Sequence, residues 1–203
     1  MEALRLSGSH VCLEPLDRSH ADGLAAAAAA DPSLYRWTIV PQGMAEAASY
    51  IEAALAARDA GSAVPFAILR LEDGAVIGST RFFNLEWWPW PAGHARHGRR
   101  DPDACEIGYS WLTRPAIRTA ANTEAKRLLL THAFESWKVL RVCLHTDVRN
   151  LRSRAAIERI GGQFEGILRA HRMGADYAPR DSARFSIIAG EWPELERRLA
   201  QTA

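Results

Sequence analysis

With 203 residues the chain lies near the usual length of one domain, and 48% hydrophobic residues suffice for a sizeable core, so a single domain over 1–203 is expected. A total of 25 Lys and Arg against 24 Asp and Glu leaves a net charge of +1, which offers no global field for nucleic acid or a membrane surface. Cys12, Cys105 and Cys143 lack CxxC spacing, so neither a disulfide framework nor a zinc site is supported.

Val11 to Leu16 reads as a first strand, and Ser19 to Ala30 as a helix capped by Ser19 or Asp17. Asp31-Pro32 breaks that helix, and Tyr35 to Gln42 crosses as a loop or short helix. Met44 to Ala60 forms a second helix closed at Gly61. Phe66 to Leu71 and Ala75 to Asn84 are strands around the hairpin turn Glu72-Asp73-Gly74. Strand, helix, strand and helix follow through Ile160, where Gly161-Gly162 stops the last. Phe164 to Met173 and Ala183 to Ala189 read as the final strands, and Glu191 to Ala200 as a terminal helix. The fold class is mixed α/β, a sheet with helices on its faces.

No basic segment leads into an apolar core at the N-terminus, and no stretch approaches the roughly 18 apolar residues of a membrane helix. A cytoplasmic protein with neither membrane nor nucleic-acid partners is expected. His10, His20, His94, His97, His132, His145 and His171 form no metal-spaced cluster and read as surface or satisfied structural groups. No metal is expected.

The segment Cys105 to Asn150 carries the chemistry. Its strand places Glu106, Gly108 and Ser110 on one face and Cys105, Ile107, Tyr109 and Trp111 on the other. Thr113-Arg114-Pro115 ends the strand, and small residues open the next helix. A helix start leaves about four backbone N–H groups without internal partners and carries partial positive charge, so it can bind phosphate through no particular side chain. The expected product is a cradle for a phosphorylated cofactor.

Between Leu85 and Ala104, Trp87, Trp88 and Trp90 are interrupted by prolines and followed by a basic tip. One reading makes them the wall of an acceptor pocket, since tryptophan gives large contact area at low entropy cost. The rival reading is a homodimer face or a hydrophobic flap.

Asn122-Thr123-Glu124-Ala125-Lys126, then Asp147-Val148-Arg149-Asn150-Leu151-Arg152-Ser153-Arg154, resemble the GNAT superfamily of N-acetyltransferases in its RimJ/RimL-like branch. Glu106-Ile107-Gly108-Tyr109, Gly161 to Gly166 and Asp181 to Ile187 resemble the same branch in the same order. The resemblance implies a mostly antiparallel sheet whose central parallel strand pair splays to admit acetyl-CoA. It implies that Arg118, Thr119, Ala120, Ala121, Asn122 and Thr123 grip the pyrophosphate, and that amides at Trp111, Leu112 and Thr113 hold the pantetheine chain. Asn150 would orient that arm or cap its helix. The family's loop usually reads Gln or Arg, two residues, Gly, one residue, Gly or Ala; here Ile117 and Ala120 stand at the polar and central glycine positions.

Transfer of an acyl group from a thioester requires a neutral amine, and α-amino and lysine groups have pKa values of about 8 and about 10.4. Glu106, at the start of the strand flanking the thioester, is the candidate base, directly or through water, with a salt-bridged strand carboxylate as the rival. Ser153 matches the family's Asn-x-x-Ser pattern and is the candidate acid for the leaving thiolate, with ordinary capping as the rival. The expected activity is transfer of acetyl or another acyl group from acyl-CoA to a primary amine of a small molecule or a protein N-terminus. The alternative is a non-catalytic acyl-CoA-binding or interaction module.

Overall fold

The computed structural model describes residues 4–201. Eight strands form one sheet: β1 Leu6–Ser7, β2 Val11–Pro15, β3 Ala63–Arg70, β4 Val76–Glu86, β5 Ala104–Leu112, β6 Arg141–Asp147, β7 Gln163–Met173 and β8 Pro179–Ile188. Their spatial order is β1-β2-β3-β4-β5-β6-β8-β7. Every neighbouring pair is antiparallel except β5 with β6, which run parallel. The mostly antiparallel sheet with one parallel pair is the expected architecture.

Helices cover both faces. α1 Ala21–Ala29 and α2 Gly43–Asp59 bury Leu24, Ala28, Ile51 and Leu55 against Ala67 and Trp111 on one side. α3 Ala120–Thr131, α4 Leu151–Arg159 and α5 Trp192–Ala200 bury Leu129, Leu130, Ile157, Leu195 and Leu199 against Phe66, Phe82, Ile107, Leu144 and Phe185 on the other. These side chains are the apolar positions of their helix and strand periods, so hydrophobic burial fixes which face each element turns inward.

Several boundaries differ from the sequence reading. Asp17 caps a single 3-10 turn, Arg18–His20, so the first α-helix begins only at Ala21. The crossing that follows is a 3-10 turn, Pro32–Tyr35, capped by Asp31. α3 runs out through a π-turn, His132–Ser136. β1 was not expected. It exists because its two residues pair with Leu13 and Cys12, a non-local partnership that a two-residue stretch cannot announce.

The turn between β1 and β2 is tied to α3 by one buried carboxylate. Glu124 accepts the backbone N–H groups of Ser9 (2.7 Å), His10 (2.7 Å) and Val11 (2.8 Å). The contact is close enough that a Cβ on Gly8 would lie 2.3 Å from the Glu124 carboxyl carbon, so a larger residue there would push the carboxylate away from its amides. Three amides that no strand satisfies are thereby matched by one ionisable side chain. Glu124→Ala is expected to lower stability by about 2–4 kcal/mol, since it orphans three partly buried donors. A urea midpoint that moves by less than a few tenths of a kcal/mol equivalent would show the anchor to be dispensable.

Candidate active site

The parallel ladder between β5 and β6 covers only Ala104↔Arg141, Cys105↔Val142 and Glu106↔Cys143. β5 continues to Leu112 and β6 to Asp147 with no further pairing between them, leaving a wedge that opens toward their C-terminal ends. One cause is visible in β5. Gly108 pairs with Arg81 and Trp111 with Ser79, so two residues, Tyr109 and Ser110, stand opposite Thr80 alone, and Tyr109 takes φ +51°. Such a bulge bends its strand and leaves part of the ladder unmade.

Each splayed strand feeds the start of a helix. Past β5, Thr119 caps α3: its Oγ1 accepts from the Ala121 N–H (3.2 Å) and donates to the Ala116 carbonyl (2.8 Å). Past β6, the Asn150 side chain caps α4 by accepting from the Ser153 N–H (3.1 Å). Two positive helix ends therefore bracket the wedge, an arrangement that receives anionic groups without requiring particular side chains. Arg118, Ala120, Ala121, Asn122 and Thr123 lie where the sequence put them, in the turn and first turn of α3. The departure at Ala120 is harmless locally, because the left-handed residue is Arg118 (φ +64°) while Ala120 is already helical.

The three strand-end amides do not act together. The Thr113 N–H donates to the Ile77 carbonyl (2.7 Å), so it faces β4 and is closed to a ligand. Strand alternation turns Trp111 the same way and leaves Leu112 toward the wedge. The Leu112 carbonyl accepts from the Tyr35 hydroxyl (3.2 Å), and the Trp111 ring packs edge-on against Tyr35. The Ser153 hydroxyl makes no hydrogen bond among the described residues, and Asn150 is buried as a cap.

At the closed end of the wedge lies a pocket of about 160 Å³, lined among others by Asn84, Cys105, Glu106, His145, His171 and Arg172. Glu106, 3% exposed, receives Asn84 Nδ2 (2.9 Å) and Arg172 Nη2 (2.9 Å) on Oε2. His145 Nδ1 sits 2.8 Å from Oε1 at ion-pair distance, although off the line of a ring N–H hydrogen bond. Burial alone would raise the Glu106 carboxyl; His145 and Arg172 outweigh it and hold the group below the ordinary carboxylate range. The His171 ring is centred 5.0 Å from that of His145, and burial followed by Arg172 lowers its pKa. The Cys105 thiol is pushed up by burial and stays protonated, which makes it no nucleophile.

His145 and His171 are the functional candidates that sequence reasoning passed over as structural groups. Period-two alternation along β6 puts Cys143, His145 and Asp147 on one face, but only the register Glu106↔Cys143 brings that face to the carboxylate. Ser110 is the converse correction. The bulge reverses alternation after Gly108, so Ser110 turns toward α3 and bonds Lys126 instead of sharing a face with Glu106.

Trp87, Trp88 and Trp90 are not among the residues lining the Glu106 pocket. They belong to a loop gathered around the buried Asp103, which receives the Trp88 N–H (2.9 Å), Trp90 Nε1 (2.9 Å) and Arg96 Nη1 (3.1 Å). His94 stacks on Trp90 at 4.3 Å, and Arg96 and Arg99 pin the loop to the carbonyls of Lys138 and Trp137. Trp88 Nε1 also reaches Glu86 (3.3 Å), on the pocket rim.

Residues 10–163 match the acetyltransferase (GNAT) domain family, well over half of the chain. The chain belongs to that family. Among solved GNAT structures, a GCN5-related N-acetyltransferase from Brucella melitensis is 27% identical with a TM-score of 0.83, over 99% of this chain and 86% of that one. RimJ of Mycobacterium smegmatis, in complex with a CoA disulfide, shares the fold at 22% identity and a TM-score of 0.77, over 98% of this chain and 93% of that one. YdaF of Bacillus subtilis, named provisionally as a ribosomal N-acetyltransferase, is 31% identical over 122 residues. That segment is 60% of this chain and 58% of YdaF, so the match spans little more than half of the relative. Among the described residues no His, Cys, Asp and Glu group is placed to hold a metal ion, and no helix is long and apolar enough to cross a membrane.

In this GNAT chain the bulge is locked from the α3 side by Lys126. Its Nζ is bonded to Ser110 Oγ and lies 3.5 Å from Thr80 Oγ1, and no carboxylate pairs with it among the described residues. Burial brings its pKa down to about 7. Between about pH 7 and 10.5 the unfolded chain holds a proton there that the folded chain has released, so stability rises with pH across this window. Lys126→Met is expected to raise stability by a few kcal/mol near pH 7 and to flatten this slope. Urea midpoints that follow parallel lines in pH for both proteins would contradict that placement.

Proposed function

We propose that this GNAT protein transfers an acetyl group, or another acyl group, from acyl-CoA to a primary amine by direct attack in a ternary complex. The observation that carries this reading is the wedge between β5 and β6, bracketed by two helix N-termini and closed by the Glu106 pocket. Acyl-CoA supplies the activated thioester. Amides at the start of α3 from Thr119 to Thr123, apart from the Ala121 N–H already taken by Thr119, hold its pyrophosphate with Arg118, and the Leu112 backbone offers a strand edge to the pantetheine arm.

The proton is handled by Glu106 and His145 together. A carboxylate held low by His145 and Arg172 is a poor acceptor by itself, but it stands at ion-pair distance from an imidazole that can take a proton. Glu106 therefore supplies charge and orientation, and His145 takes the amine proton directly or through a water. Ser153, whose hydroxyl is uncommitted at the start of α4, relays a proton from solvent water to the leaving thiolate. Of the three tryptophans, Trp88 borders the acceptor side through Glu86, with Trp87 and Trp90 behind it in the same loop. A protein N-terminus and a small amine remain the two acceptor classes, and YdaF's provisional name points to ribosomal proteins. The non-catalytic reading loses its motive, since the altered loop keeps a regular helix start at Ala120.

Calorimetric titration with acetyl-CoA, followed by thiol release with an amine panel, tests the activity. Glu106→Gln and His145→Gln are each expected to lower kcat by about tenfold or more while leaving the Kd of acetyl-CoA within about twofold. A kcat at neutral pH within a factor of about two of the parent for both variants would remove the pair from the chemistry.

A further inference from the structure

Arg81 is 6% exposed and makes no hydrogen bond or ion pair among the described residues. Its Nε is shut off from solvent without a partner, and its guanidinium lies over the rings of Tyr109 (4.0 Å) and Tyr50 (5.2 Å). Register places it with Glu106: Arg81 pairs with Gly108 and Phe83 with Glu106, so all four project from one sheet face. Gly108 leaves room there, since a Cβ would stand 2.7 Å from the Phe83 ring.

A second guanidinium shares these rings, and a third is its neighbour on β8. Arg172 lies over Phe83 at 5.2 Å, and the Phe83 ring is 5.1 Å from Tyr109. Arg180 is the register partner of Arg172 on β8, is half-buried, and spends only Nε, on Ser182 Oγ (3.0 Å). The carboxylates nearby are already committed. Glu106 serves Arg172, Asn84 and His145, and Asp147 holds Arg149, which also pairs with Asp176. Among the described residues neither Arg81 nor Arg180 has a carboxylate at ion-pair distance, and Arg180 feels Asp147 and Glu106 only from farther off. Contact with aromatic faces offsets only part of the desolvation of an unmatched buried cation.

From this we infer that the acceptor carries a carboxylate a few bonds from its amine, and that Arg81 and Arg180 bind it while the amine lies at Glu106 and His145. The inference rests on the acyl-transfer reading above. Arginine is suited to the role because its planar fork binds carboxylate through two parallel hydrogen bonds. The carboxylate belongs either to a free amino acid or to an acidic residue beside a peptide N-terminus.

The test compares acceptors that differ in their carboxylates: C-terminally amidated Ser-Glu peptides against Ser-Gln peptides, and free glutamate against glutamine amide. The acidic member of each productive pair is expected to be favoured by about tenfold or more in kcat/KM, chiefly through KM. Turnover of the peptides or of the free amino acids separates the two sources. Arg180→Gln, at a half-exposed position that should fold, is expected to bring the ratio near one with the Kd of acetyl-CoA unchanged. Arg81→Lys keeps the charge but loses the fork and should give an intermediate ratio. Amines turned over with no preference for acid, or a preference that survives Arg180→Gln, would overturn the inference and leave the transferase standing. Acetyl-CoA binding with no amine turned over would sink the transferase reading, and the inference with it.

Discussion

β5 and β6 share hydrogen bonds at only three register positions, and everything in the candidate site is placed by where that ladder stops. A fully zipped parallel pair would bury its edges and leave no entry to the sheet. Because the two strands separate after Glu106 and Cys143, their free edges become walls, their C-terminal ends become a mouth, and the last paired residues become a floor. The strands' parallel direction also sends both chains into helix starts on the same side, so two partial positive charges meet at one opening.

Holding the wedge open needs neighbours that do not collapse into it. On one face Lys126 reaches from α3 to the bulge at Ser110, and α3 is in turn anchored by Glu124 on the β1–β2 turn. On the other face Tyr35 reaches the Leu112 carbonyl, and Arg149 and Arg152 tie the segment around Tyr35 to the start of α4 through the Trp37 ring and the Leu34 carbonyl. These contacts are polar and individually modest, so their value lies in geometry more than in net stability. The apolar cores above and below the sheet supply the stability.

The charge arrangement of the site follows from the same architecture. One ionised glutamate is surrounded by guanidinium and imidazole groups from β6 and β7, while further arginines on β4 and β8 have no acid of their own. Buried charge of this kind is a cost to folding, and it is concentrated where the sheet is least continuous. That coincidence of imperfect pairing with unbalanced charge is what distinguishes this region from the rest of the molecule.

Much of this was legible in the chain. Period-two and helical patterns located most of the elements, the turn at Glu72 to Gly74 marked the β3–β4 hairpin, a run of small residues announced the start of α3, and Asn150 offered a cap for α4. Local chemistry decides such features, because capping, turn formation and amphipathic burial depend on residues a few positions apart. Register is different. That Ser110 turns to Lys126, that Thr113 faces β4, that His145 meets Glu106 and that Arg81 lacks an acid are all consequences of which residues lie opposite one another across strands distant in sequence. A single-residue bulge reverses every side chain beyond it, and only the closed tertiary packing determines where that bulge falls.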